Sequence, residues 1–102
     1  MTTPRSTALR FALLLGSSAW LQGCGHPASQ QECDEIFRRS AEIELRAQSV
    51  NDPDQIEAKI AEAKAVRGQE LLDECVGKRI TDDAMACVRQ ADTAEALDAC
   101  LQ

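Results

Sequence analysis

The chain of 102 residues predicts an all-α fold, a small disulfide-stapled bundle of about four helices behind a signal peptide and a tether. Three observations predict it. Apolar residues recur at steps of three and four, no alternating β-branched run occurs, and four cysteines are spread over the last three quarters of the chain.

Helix one is expected from about 30 to 49. Cys33, Ile36, Ser40, Ile43, Ala47 and Val50 form its inward stripe, with Phe37 and Ala41 on the flank and Arg38, Arg39, Glu42 and Arg46 facing away. The stretch "VNDPDQI" then combines a turn with a new helix start, because Asp52 suits a cap and Pro53 the first helical position. Asp52, Asp54 and Glu57 also offer oxygen donors. A calcium loop would need a glycine and a distal bidentate glutamate, both missing, so no metal is expected there.

Helix two runs on to about Val76 with Ile56, Ile60, Ala63, Leu71, Leu72, Cys75 and Val76 as its apolar side; Gly68 interrupts it and Gly77 ends it. "ITDDAM" starts helix three, with Thr81 as cap, Ile80 stapled to Met85, and Asp82 and Asp83 at the positive end of the helix dipole. Asp92 or Thr93 caps a short fourth helix whose Leu97, Cys100 and Leu101 point inward.

Cys33, Cys75, Cys87 and Cys100 all fall on apolar helical faces and include no C-x-x-C. That spacing disfavours a redox pair or a zinc knuckle. Structural disulfides suit a domain of about 70 residues, which buries little apolar surface. Turning the first hairpin near residue 51 or 52 sets Cys33 level with residue 70 and, two helices on, with Cys87. Cys33–Cys87 with Cys75–Cys100 is therefore the expected pairing, and Cys33–Cys75 with Cys87–Cys100 the alternative. Each bridge is expected to contribute roughly 3–4 kcal/mol in the loop-entropy model.

Residues 1–23 carry the marks of a secretory signal peptide. Arg5 and Arg10 are the only charges before "GC", and "FALLLGSSAWL" is an apolar run that would reach only about 16 Å as a helix, against a hydrocarbon core of ~30 Å. Its end, Leu21-Gln22-Gly23-Cys24, resembles the lipobox of bacterial lipoproteins, with Gln22 in place of the commoner Ala or Ser. The resemblance covers the leader alone. It implies cleavage before Cys24, a diacylglyceryl thioether on its sulfur, and a third acyl chain (palmitate or similar) on the new amino terminus. Two or more chains anchor stably. Gly25 follows instead of the Asp that retains lipoproteins of this kind at the inner membrane, so the implied location is the cell envelope, on the outer membrane facing the periplasm. The later cysteine pattern, one early and three late, also resembles that of small uncharacterised helical lipoproteins.

"GHPASQQE" shows no apolar periodicity. Residues 24–32 are therefore expected to be the lipidated cysteine and a flexible tether, with His26 solvated in it, before a helical domain over 33–102.

Several functions are disfavoured. From Glu32 onward 17 acidic residues face 9 basic ones, a net charge of about −8, so nucleic acid is not an expected partner. Phe37 is the only aromatic residue after the leader, which leaves little for a stacking platform. Ser29, Ser40 and Ser49 have no histidine partner beyond His26, and the carboxylates interleave with arginines as on a solvated face. The expected function is non-catalytic and needs no cofactor. It is a membrane-anchored lipoprotein, held to lipid through acylated Cys24, that serves as a protein-interaction or structural module with a periplasmic protein partner. The alternative is a small periplasmic ligand or metal carrier.

Overall fold

The structure, a computed structural model, describes residues 25–102. The expected signal peptide and Cys24 lie outside the described residues. In chain order the elements are β1 (His26–Pro27), α1 (Gln30–Ala47), α2 (Pro53–Ala63), a π-helical turn (Lys64–Gly68), α3 (Gln69–Cys75), β2 (Arg79–Ile80), α4 (Asp82–Gln90) and α5 (Ala94–Cys100). Because α2, the π turn and α3 follow one another without a break, the described residues form four helical rods. The fold is all-α apart from one two-residue strand pair.

Each rod begins where a short polar side chain can satisfy the free amides of a first turn. Ser29 Oγ accepts from the Glu32 amide, and the Glu32 carboxylate accepts from the Ser29 amide, a complete capping box at α1. Asp52 accepts from the amides of Asp54 and Gln55 ahead of α2, with Pro53 in the first helical position. Thr81 and Thr93 do the same for α4 and α5. The expected staple also forms, since Ile80 and Met85 are buried in one cluster. The second rod ends at Gly77, whose φ of +88° suits a residue without a Cβ.

The helix α1 is the axis of the bundle and meets α2, α3, α4 and α5. Its inward face divides the core in two. Cys33 packs with Ala28, Leu72, Ile80 and Met85. Ile43 packs with Val88, Ala91 and Leu97, and Ile36 touches both groups. Met85, Val88 and Cys33 are the largest side chains fully removed from water. A buried aliphatic side chain of this size contributes about 1.5–3 kcal/mol relative to exposure.

Two expectations are corrected. Residues 25–32 are no slack tether. His26 and Pro27 pair antiparallel with Ile80 and Arg79, Ala28 is buried, and the Ala28 amide donates to the Lys78 carbonyl at 2.7 Å. The reason is local: the Ser29–Glu32 box fixes the entry to α1, and the two residues before it fall alongside the turn that leaves α3. His26 is correspondingly not a free linker residue, for its Nε2 lies 2.8 Å from Glu32 Oε2.

The cysteine pairing is Cys33–Cys75 and Cys87–Cys100, with Cα atoms 5.9 and 5.6 Å apart, and not Cys33–Cys87 with Cys75–Cys100. Each bridge closes a hairpin between neighbouring rods. The first hairpin is uneven: Cys33 is level with Cys75 instead of residue 70, and the second rod spends part of the extra length in a π turn, which takes more residues per turn than an α-helix. In the second, the three residues between α4 and α5 bring Cys87 and Cys100 together.

Candidate interaction surface

The expected acceptor of lipid, Cys24, precedes a segment that the body holds firmly. Arg79 Nη1 donates to the Gly25 carbonyl at 3.0 Å. Gly25, at φ +70°, sits so close to β2 that a Cβ there would lie 2.3 Å from the Ile80 carbonyl oxygen, so no other residue fits without displacing the strand. Glu32, which anchors the other end of this segment, has its carboxyl held below the usual carboxylate range. The Ser29 amide donating to it is the main cause, and His26 beside it adds to the effect.

Two open hollows of about 520 Å³ each flank Leu71. The first lies beside the strand pair and is lined by Ala28, Ile36, Cys75, Ile80, Ala84 and Leu101, with Glu74, Lys78 and Arg79 at its polar rim. The second is a lateral groove between α1 and the second rod. Phe37, Ala41, Leu45, Ala63 and Val66 make its apolar floor and walls, and Glu44, Lys59, Glu62 and Arg67 border it. Val66 stands on the π turn and is 77 % exposed, the most exposed large apolar side chain among the described residues. A π turn offsets the side chains beyond it from the α-helical rows, and such turns recur at functional positions. Here Val66 is exposed, between Lys64 and Arg67 in sequence, while Gly68 in the same turn is buried.

Several of the groups considered for other chemistry are engaged in structural tasks. Asp52 Oδ1 accepts from two backbone amides, and Glu57 pairs with Arg38. The Ser29 hydroxyl caps α1. All four cysteines of the body are bridged, with Cys33 buried and Cys87 exposed. Among the described residues no cluster of three or more His, Cys, Asp or Glu is placed to hold a metal ion, and no helix is long and apolar enough to cross a membrane. In comparisons with known proteins, no family model, no curated protein and no solved structure matches the chain.

The sequence marked the caps of α2, α4 and α5, the staple and the bridged cysteines, but not the Ser29 cap of α1. Nor did it mark the strand pair or the lateral groove. Ser29-Gln30-Gln31-Glu32 was the available sign for the first, being a capping-box sequence that rules out slack at its position. The groove had a weaker sign, an apolar Val66 surrounded by charge in a stretch where the inward stripe already lacks a member.

Proposed function

We propose that the protein is a lipoprotein of the cell envelope, anchored to the outer membrane through acylated Cys24, that acts without catalysis by presenting a binding surface to a protein partner in the periplasm. The observation that carries the reading is the junction of Leu21-Gln22-Gly23-Cys24 with Gly25, the first residue of a body braced by two disulfides. An anchor placed there orients the bundle and leaves the Phe37–Val66 groove open along one side. That groove has the apolar floor and charged rim of a small protein-binding patch. A carrier of metal through thiolates is less well supported, since the body's four sulfurs are paired.

The test is crosslinking from intact envelopes with the full chain as bait, alongside Val66→Lys. Because Val66 is exposed, the variant should keep its stability and its acylation while losing the specific partner. A partner captured equally by both would overturn the groove as the binding surface, and no specific partner at all would overturn the interaction reading.

A further inference from the structure

We propose that the β1–β2 end of the domain lies directly on the phospholipid headgroups, with Lys78 and Arg79 facing lipid phosphate; the inference rests on the acylation of Cys24 proposed above. Five free residues between the anchor and α1 would let the body stand roughly 17 Å off the membrane. The structure leaves none of them free. Gly25 is bonded to Arg79, His26 and Pro27 pair with β2, Ala28 is buried, and Ser29 caps α1. The acylated residue is therefore one peptide unit, about 3.8 Å between Cα atoms, from a residue packed on the body. Acyl chains in the hydrocarbon place Cys24 at the interface, and the strand pair arrives with it.

The side chains at this end suit that position. Arg79 and Pro27 are partners in the strand pair and both are exposed, and Val76, in the adjoining turn, is 46 % exposed. Arg38, Arg39, Arg46, Lys64 and Arg89 each pair with a carboxylate, whereas Lys59, Arg67, Lys78 and Arg79 meet none among the described residues, and of these four Lys78 and Arg79 are the two beside the strand pair. Three carboxylates lie nearby, and none is within ion-pair distance of Lys78 or Arg79: Glu32 is 2.8 Å and Asp82 3.8 Å from His26, and Glu74 lines the neighbouring hollow. In a chain this acidic, two adjacent unpaired cations beside the attachment point complement a phosphate surface and little else on the protein itself.

Lysine chemistry offers a direct test, because the chain has only Lys59, Lys64 and Lys78, and the first two lie on the second rod. The natively processed protein, in vesicles of phosphatidylethanolamine and phosphatidylglycerol, is acetylated with a membrane-impermeant ester. Leaderless Cys24→Ser protein mixed with the same vesicles is the reference, and mass spectrometry reads Cys24 in the same samples. Lys78 should react severalfold more slowly on the vesicle-bound protein, relative to Lys59 and Lys64. An unchanged ratio on protein acylated at Cys24 overturns the apposition and leaves the anchor standing. Protein without acyl groups on Cys24 overturns both.

Discussion

The two ends of the bundle are held by different means. At the end that carries the strand pair, β1, β2, the capping box and the Cys33–Cys75 bridge converge on one cluster whose Cys33 and Met85 are fully buried. At the other end, α1 and α2 form a hairpin without a covalent link. Ile56 and Ile60 are its buried contribution from α2, and exposed ion pairs such as Arg38–Glu57 and Arg46–Glu42 cover the outside. Exposed pairs of this kind contribute about 0–1 kcal/mol each. Covalent bracing thus serves the strand-pair end and, through Cys87–Cys100, the second cluster around Val88, and the α1–α2 hairpin is the part left without it. In native hydrogen exchange, amides of Pro53–Ala63 should open well before those around Cys33.

The largest effects should come from cutting the staples. Cys33–Cys75 closes a separation of 42 residues and Cys87–Cys100 one of 13. On loop entropy, Cys33→Ala/Cys75→Ala costs about 4 kcal/mol and Cys87→Ala/Cys100→Ala about 3 kcal/mol. The first pair also leaves a hole in the core, since Cys33 is 2 % exposed, so urea midpoints should separate the two variants by more than the loop lengths alone require. Under a limiting thiol reductant, Cys87–Cys100 should be alkylated first, because Cys87 is exposed and Cys33 is not.

Next in size, Met85→Ala should destabilise by about 3 kcal/mol in chemical denaturation, the usual range for emptying a buried site. Val66→Ser on the open hairpin should change stability by less than about 0.5 kcal/mol. Equal losses from the two would erase the distinction between the ends.

Helix caps sharpen it further. Ser29→Ala and Asp52→Ala each remove a cap worth about 1 kcal/mol. Only Ser29→Ala should also speed amide exchange at Ala28 and Gly77, because beside the cap the Gly77 amide donates to the Ala28 carbonyl and the Ala28 amide donates to the Lys78 carbonyl.

The smallest effect is the pH dependence of the anchored end. The carboxyl of Glu32 titrates lower in the folded protein than in the unfolded chain. Its contribution is therefore complete above the ordinary carboxylate pKa and is lost as pH falls through the lower folded value. Glu32→Gln should flatten the acid limb of the stability curve and leave the neutral region nearly unchanged in slope.

The parts of this architecture visible in the sequence were the ones set by local rules. A period of 3.6 marks the rods, Asp52, Thr81 and Thr93 mark their starts, and Gly77 marks a stop whose backbone needs a positive φ. Features set by long-range register were hidden. A two-residue strand has no periodicity, and His26 opposite Ile80 is a match across more than fifty residues. The cysteine partners depended on how far the second rod runs past the first hairpin, an offset of five residues that helical spacing does not encode. The Phe37–Val66 groove was hidden because it forms between α1 and the second rod, and only their packing brings Phe37, Ala41 and Leu45 alongside Ala63 and Val66.

The most direct test of a body stapled at its anchored end is mass spectrometry of the non-reduced, digested protein extracted from membranes. The account predicts an amino-terminal fragment that begins at an acylated Cys24 and is joined, or lies next, to a Cys33 fragment disulfide-linked to Cys75. An unmodified fragment that retains residues before position 24, or a Cys33 fragment bridged to Cys87, would contradict it.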